Sequence, residues 1–189
     1  MSSITLATPS DAALLAAFAE RTFRDTYAPP YGPCEPADVE AYVAEYFGVA
    51  VQGRELADPA MRVLLARDAA GGLAGYAQVR CGARPEGADG YAPVAGGDRG
   101  LVAGADAELA RLYVDRPWHG GGLAARLFDA ARGAAAACGA EALWFSVYRK
   151  NARALAFYRK RGVVPIAAAT FTMGREVQDD WLLAVPTRD

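Results

Sequence analysis

Histidine, lysine and cysteine are scarce in this sequence, and each scarcity excludes a class of functional site. The 189 residues include one histidine, so neither a zinc centre built on several histidines nor a paired-histidine metal motif can form within one chain. Lysine occurs only at positions 150 and 160, and nearly all the positive charge is arginine. The formal net charge of -2 at pH 7 lacks the basic surplus with which nucleic-acid-binding proteins neutralise phosphates. We therefore expect neither a metal ion nor a nucleic-acid partner.

Paired cysteines and long apolar runs are also missing. Cys34, Cys81 and Cys138 are odd in number and far apart, with no C-x-x-C motif, which favours reduced thiols over a disulfide framework. Residues 1–6 lack the basic region and long apolar stretch of a signal peptide. No run reaches the ~18 apolar residues of a membrane span. These patterns predict a cytoplasmic protein that has no membrane partner.

Apolar residues are abundant, at 53% of the chain, and this predicts one folded domain over residues 1–189. In the first half, apolar periodicity predicts a short strand, two helices and a β-hairpin, at residues 4–7, 14–22, 35–47, 61–66 and 73–79. The stretch 81–106 is rich in Gly, Ala, Pro and Asp and shows neither period. It predicts a long loop.

The second half of the chain alternates between strand and helix patterns. The predicted elements are a strand, a helix, a strand, a helix and two strands, at residues 108–114, 119–138, 142–148, 151–161, 163–168 and 181–185. A strand–helix–strand order forms a βαβ unit, which requires one parallel pair of strands. The predicted fold class is therefore mixed α/β: a mostly antiparallel sheet with one parallel pair and helices on both faces.

Three consecutive glycines, at positions 120–122, follow a predicted strand and open the next helix. Backbone N–H groups at a helix start bind anions, because the positive end of the helix dipole lies behind them and glycine lets a phosphate approach closely. The competing interpretation is a tight turn that binds nothing. A Walker nucleotide site is excluded, because the GK[ST] ending is missing. A Rossmann site is a poor match, because G-x-G-x-x-G is not met and the turn does not follow the first strand.

Two motifs in this order resemble those of the GCN5-related N-acetyltransferases. Residues 119–124, HGGGLA, are similar to the acetyl-CoA-binding pattern Q/R-x-x-G-x-G/A of that family. Residues 151–162, NARALAFYRKRG, are similar to its downstream pattern N-x-x-A-x-x-F-Y-x-x-x-G. The strand pattern at 143–147 lies between them, and the resemblance covers about residues 107–164.

The resemblance implies an acyl-CoA N-acyltransferase with acetyl-CoA as co-substrate, in a sheet splayed near its middle to hold the pantetheine arm. His119 stands where the family usually has Gln or Arg, and Gly121 where it often has a basic residue. Since backbone amides bind most of the pyrophosphate, we expect weakened binding, with His119 donating to a phosphate and Arg126 restoring some charge. The implied cofactor-binding residues are Leu112, Tyr113, Val114, His119, Gly120, Gly121, Gly122, Leu123, Ala124, Ala125, Asn151, Ala154 and Tyr158.

The same resemblance gives two residues catalytic roles. Tyr158 is expected to protonate the departing CoA thiolate, and the alternative is helix packing beside Phe157. Glu108 is expected to deprotonate the attacking amine through water, and the alternative is a solvated charge at a strand end. Backbone N–H groups around 112–114 would stabilise the tetrahedral intermediate where the family's central strand bulges.

The expected acceptor is a primary amine of a small molecule. Residues 22–27 and 178–182 resemble the spermidine/spermine branch of the family, which implies a polyamine. Two alternatives stay open: a protein α-amine or lysine as acceptor, and a catalytically silent acyl-CoA-binding module. Exposed edge strands are compatible with a homodimer. Several carboxylates suit a cationic acceptor or are simply solvated helix faces, namely Asp25, Glu35, Asp38, Glu40 and Glu45.

Overall fold

The computed structural model describes residues 2–27, 34–85 and 106–188. No helix in these three ranges is long and apolar enough to cross a membrane. The helices and strands within them, in chain order, are β1 (Ser3–Leu6), α1 (Ala12–Tyr27), α2 (Pro36–Tyr46), α3 (Val49–Ala57), β2 (Met61–Arg67), β3 (Leu73–Cys81), β4 (Asp106–Val114), α4 (Leu123–Ala137), β5 (Ala142–Tyr148), α5 (Ala152–Arg159), β6 (Val164–Met173) and β7 (Glu176–Pro186).

The strands form one seven-stranded sheet in the order β1-β2-β3-β4-β5-β7-β6. β1 and β2 are antiparallel, as are β5 and β7. β4 and β5, the strands on either side of α4, are parallel and pair from Asp106↔Ala142 to Glu108↔Trp144. The predicted fold class, a mostly antiparallel sheet containing one parallel βαβ pair, is confirmed.

The chain divides into two compact units, each built from segments that are distant in sequence. The first contains Met1–Gln78, Arg111–Ala131 and Met173–Glu176, and the second contains Val79–Ala110, Arg132–Thr172 and Val177–Asp189. The chain therefore passes from one unit to the other several times.

Helices cover both faces of β3 in the first unit. Tyr76 meets Phe18 of α1 edge to face, with ring centroids 6.0 Å apart. Its neighbour Gly75 points to the opposite face, where an added Cβ would lie 2.9 Å from Leu127 Cδ1 of α4 and 2.8 Å from the Tyr113 carbonyl oxygen. Gly75 is therefore needed for the close approach of β3 to β4 and α4.

The second unit contains a cluster of buried apolar residues from β5, β6 and β7, in which Trp144 lies on one face of β5. It comprises Trp144, Ile166, Ala167, Ala169, Leu182 and Ala184. On the other face of β5, Phe145 contacts Tyr158 of α5, with ring centroids 4.5 Å apart. Alternation along β5 thus separates the α5 side from the opposite side of the sheet.

The structure corrects several predicted boundaries. α3 is not predicted from the sequence, because Gly48 is interpreted there as the residue that ends α2. In the structure Gly48 also begins α3, since its carbonyl oxygen accepts a hydrogen bond from Gln52 N at 3.0 Å. The helix predicted from residue 119 begins at Leu123, because positive φ angles at Gly120 and Gly122 interrupt the helix before it. The predicted loop 81–106 is shorter at both ends, since Cys81 and Asp106 belong to strands; residues 86–105 lie outside the described ranges.

The prediction of reduced thiols is wrong for two of the three cysteines. Cys81 at the end of β3 and Cys138 just after α4 form a disulfide, with Cα atoms 6.0 Å apart. Their separation of 57 positions carries no local motif, so only the fold brings them together. Cys34 is buried and remains a thiol.

Candidate active site

The glycine loop of the first unit is open on its outer side. After a 3₁₀ turn at Arg116–Trp118, Gly120 and Gly122 take φ angles of 78° and 80°, in the left-handed region that favours glycine. An added Cβ at either position would meet nothing within 4 Å, so the outer side of the loop is open. Arg126 N donates to Gly122 O at 3.2 Å, which marks the start of α4. The preceding N–H groups have no acceptor within the helix and can bind phosphate oxygens.

His119 is exposed and its ring is tied to the end of β4. Nε2 lies 2.8 Å from the carbonyl oxygen of Val114. A carbonyl only accepts, so Nε2 carries the proton and donates it here. In the neutral ring Nδ1 is then an acceptor, and a hydrogen bond to a phosphate needs the doubly protonated ring. The role of His119 as a phosphate donor stays a prediction.

Arg126 holds the beginning of the chain. Its Nη1 donates to Ser2 Oγ at 2.9 Å and its Nη2 to Ser2 O at 2.7 Å. Two of its donors are therefore already used by the segment that leads into β1. The expectation that this arginine supplies positive charge to the loop gains no support from its contacts.

Side-chain contacts hold the end of β4, just before the glycine loop. Tyr113 stacks on Tyr76, with ring centroids 5.7 Å apart, and burial raises the pKa of the Tyr113 phenol well above its usual range. Asp115, the next residue after β4, accepts two hydrogen bonds from Arg21 at 2.8 and 2.9 Å. That arginine lowers the pKa of the Asp115 carboxyl. These contacts hold the end of β4 at 112–114, where the resemblance implies cofactor-binding residues.

A polar cluster on β4, centred on Arg111, is missed by sequence reasoning. Arg111 Nη1 donates to Glu55 Oε2 and to Gln78 Oε1, both at 2.7 Å. Its guanidinium lies 4.6 Å from the ring centroid of Phe47. The Tyr76 hydroxyl and Gln78 Nε2 are buried without a hydrogen-bond partner among the described residues. The one available signal was an arginine within an apolar strand pattern, since its partners lie 56 and 33 positions away.

In the second unit, Asn151 and Tyr158 sit at opposite ends of α5. Asn151 Oδ1 accepts from Ala154 N at 3.0 Å, which makes it the predicted helix cap. Tyr158 is 9% exposed and packs against Phe145 and Phe157. Its ring also lines a cavity of about 400 Å³, whose other lining residues are Ala152, Leu155, Ala156, Arg159, Val163, Pro165, Trp181 and Leu183. The contacts of the Tyr158 ring agree with the helix-packing alternative. They do not test the acid role, which depends on the hydroxyl group and stays a prediction.

Glu108 lies on the part of β4 that belongs to the second unit. It is half-buried and pairs in register with Trp144 of β5. Glu108 is the third residue of β4 and the last of the three that pair with β5. Its role as a base stays a prediction.

Three of the carboxylates considered for a cationic acceptor are paired with arginines. Asp25 lies 3.9 Å from Arg21, Glu40 lies 2.7 Å from Arg24, and Asp38 lies 4.0 Å from Arg175. Arg24 lowers the pKa of the Glu40 carboxyl through its hydrogen bond. These pairs favour the structural interpretation over an acceptor site at these residues.

The sheet with one parallel βαβ pair and a glycine loop before α4 define a mixed α/β chain whose fold is like that of acetyltransferases. Residues 20–163 match the profile of the Acetyltransferase (GNAT) family. The chain belongs to this family, and the resemblance stated from its two motifs is confirmed.

Relatives and solved structures agree with this assignment. An uncharacterized N-acetyltransferase of Mycobacterium bovis is 32% identical over 178 residues, which covers 92% of this chain and 96% of the relative. The PaiA N-acetyltransferase of Thermoplasma acidophilum, solved in complex with coenzyme A, has a TM-score of 0.68 at 18% identity and covers 98% of this chain and 99% of its own. The Salmonella typhimurium putative acetyltransferase YncA, solved with acetyl-CoA, has a TM-score of 0.63 at 16% identity, covering 100% and 95%. The last two likenesses concern the fold.

Proposed function

We propose that this chain is an acetyl-CoA-dependent N-acetyltransferase that acts on a primary amine of a small molecule, with residues 1–189 working as one domain. The observation that carries the proposal is the open glycine loop before α4, in a chain of the GNAT family. Two proteins of similar fold were solved with coenzyme A or acetyl-CoA. Transfer takes place by direct attack of the amine in a ternary complex.

Backbone groups hold the co-substrate in this proposal. N–H groups of Gly120 to Ala125 bind the pyrophosphate, and the β4 backbone at 112–114 holds the pantetheine arm. The glycines allow this approach because they carry no Cβ, and the cap at Asn151 orients the first turn of α5 and Ala154. Acetyl-CoA supplies an activated thioester carbonyl, and the protein supplies position and proton transfer.

Two side chains move protons in the proposed reaction. Glu108 takes a proton from the ammonium form of the acceptor through water, which frees the nitrogen lone pair to attack the thioester carbon. A C–N bond forms, the C–S bond breaks, and the Tyr158 hydroxyl gives its proton to the departing thiolate sulfur, while the nitrogen releases its second proton to water and the Tyr158 phenolate regains a proton from water. Backbone N–H groups of 112–114 stabilise the negative oxygen between these events.

A polyamine is the proposed acceptor, on the resemblance of residues 22–27 and 178–182 to the spermidine/spermine branch. Protein α-amines and lysines are the alternative acceptors, and a silent acyl-CoA-binding module is the alternative to an enzyme. Release of CoA in the presence of spermidine, an aminoglycoside, free amino acids or a peptide distinguishes the acceptors. The silent module predicts acetyl-CoA binding by calorimetry with no turnover of any of these amines.

Cytoplasmic location and homodimerisation remain proposals as well. The Cys81–Cys138 disulfide is of a kind that persists mainly in oxidising compartments, so fractionation of cells must decide. Size-exclusion chromatography with light scattering tests the dimer.

The acid role of Tyr158 is tested by Tyr158→Phe, with Tyr46→Phe as the matched control. Tyr46 is exposed on α2, so its variant is expected to keep wild-type kinetics. We expect kcat of Tyr158→Phe to fall by about 100-fold or more, since a positioned acid contributes that much, while the acetyl-CoA KM changes by less than about three-fold. A wild-type kcat at every pH would show that the hydroxyl is not the acid.

A further inference from the structure

Ser146 and Asp180 form a polar pair on neighbouring strands of the second unit. β5 and β7 are antiparallel, with Tyr148 opposite Asp180 and Ser146 opposite Leu182. The Ser146 hydroxyl donates to Asp180 Oδ2. Asp180 is 6% exposed, and its second oxygen, Oδ1, is buried without a hydrogen-bond partner among the described residues. One carboxylate oxygen is thus fixed and the other is unused.

The nearby cation, Arg149, does not bond to Asp180 Oδ1. Arg149 Nε donates at 3.0 Å to the backbone oxygen of Asp180, and its guanidinium lies 3.9 Å from the ring centroid of Trp181. Burial raises the pKa of the Asp180 carboxyl, against the lowering effects of Ser146 and Arg149. A buried acceptor with no donor is costly, by about 1–3 kcal/mol, and a cationic N–H donor would remove that cost.

The pair lies on the same face of the sheet as Glu108. Residues paired across strands share a face, so Glu108 goes with Trp144 and Asp180 with Tyr148. Trp144, Ser146 and Tyr148 alternate to one side of β5. Phe145, which contacts Tyr158, points to the other side. The two carboxylates of this face are thus separated by the sheet from the α5 helix.

Ser146 lies on the accessible side of this pair, whereas Asp180 Oδ1 is itself buried, so an ammonium group must turn the carboxylate or displace its neighbours to reach that oxygen. The serine is exposed, although it bonds directly to a carboxylate that is nearly buried. A ligand that reaches Asp180 beside Ser146 therefore leaves most of its water behind. An ion pair in such a place is stronger than one on the surface, because the local dielectric is lower.

We infer that Asp180, oriented by Ser146, binds an ammonium group of the amine acceptor through its unused oxygen. The inference rests on the proposed function, and it names the acceptor class as a protonated alkyl amine held by a carboxylate of β7. Asp180 is a binding residue in this scheme, and the proton transfer stays with Glu108. The arginine-paired carboxylates of α1 and α2 have no part in it.

The test measures amine binding directly, using Asp180→Asn with Asp179→Asn as the matched control. Asp179 is the exposed neighbour on the same strand, and it receives the same loss of charge. Calorimetry with CoA-loaded protein uses spermidine and n-butylamine as probes. We expect Asp180→Asn to weaken binding at least ten-fold and Asp179→Asn to change it by less than two-fold. CoA binding should be the same in all three proteins.

Ser146→Ala serves as the second variant in case Asp180→Asn does not fold, and it should weaken amine binding by about three-fold. Equal amine affinity in wild type and Asp180→Asn overturns the inference, as does an absence of amine binding by the wild type. Amine binding that depends on Asp180, without any turnover of acetyl-CoA, would support this site while refuting the proposed acetyltransferase activity. Turnover of acetyl-CoA with an amine KM that is unchanged in Asp180→Asn would support the proposed acetyltransferase activity while refuting this site.

Discussion

At the scale of single residues, the most demanding environment belongs to Arg111. Its side chain is 14% exposed and that of Glu55 is 17% exposed, so both charges are held largely away from water. Their mutual bond, the Gln78 amide oxygen and the Phe47 ring together replace the lost hydration. Such an arrangement is stable only while it is complete, because a single remaining charge has no counter-ion.

Arg111→Met is therefore expected to destabilise the protein by about 3–5 kcal/mol, the usual loss when one member of a buried pair is removed. The double variant Arg111→Met with Glu55→Gln should recover part of that loss, since it removes the unpaired carboxylate. Urea unfolding measures both. Equal stability of wild type and Arg111→Met would mean that this ion pair contributes nothing.

Arg111 also shows which parts of the candidate site the sequence alone cannot predict. The glycine loop, Asn151 and Tyr158 belong to local motifs, in which neighbours in the chain are neighbours in space. The bonds from Arg111 to Glu55 and from Ser146 to Asp180 span 56 and 34 positions. No periodicity encodes such contacts, because they depend on strand order and register.

At the scale of elements, α4 combines two kinds of glycine. Gly122 precedes the helix with a φ of 80° and Gly133 lies within it at an exposed position. An alanine at the first position is strained by its Cβ, by about 1–2 kcal/mol, whereas an alanine at the second suits the helix. The same substitution should therefore have opposite effects on one element.

Gly122→Ala is expected to raise the acetyl-CoA KM by about ten-fold, because the N–H groups of the loop must shift to relieve the strain. Gly133→Ala is the matched control: it should leave KM unchanged and stabilise the protein by about 0.5–1 kcal/mol. Steady-state kinetics and thermal melting give the two readouts. A normal KM in Gly122→Ala would show that the loop geometry does not control cofactor binding.

Most elements were predictable because their signals are local. The βαβ order around α4 predicts the parallel pair, and Gly139 and Gly162, with φ angles of 83° and 71°, end α4 and α5 as expected. α3 was missed because it follows α2 after a short break at Gly48. β6 and β7 extend past their predicted ends to a turn at Gly174, since small and polar residues there obscure the alternation.

At the scale of the whole molecule, a disulfide bond joins two residues that are distant in the sequence. The Cys81–Cys138 disulfide joins positions 57 apart and restricts the unfolded chain. Loop-entropy arguments assign roughly 4 kcal/mol to a closure of this length.

Reduction, or the Cys81→Ala and Cys138→Ala double change, is accordingly expected to lower stability by about 2–4 kcal/mol. Thermal melting with and without dithiothreitol measures the loss. Dithiothreitol should have no further effect on the double variant, because the remaining cysteine, Cys34, is already a thiol. Identical melting of oxidised and reduced wild type would show that the bond does not stabilise the fold.

The same bond changes what a protease can do to the chain. The segment between Cys81 and Cys138 contains β4, the glycine loop and α4. A single cleavage anywhere within it leaves two polypeptides that are still joined through sulfur. Wherever in this segment the chain is cut, the two fragments therefore stay together until the disulfide is also reduced.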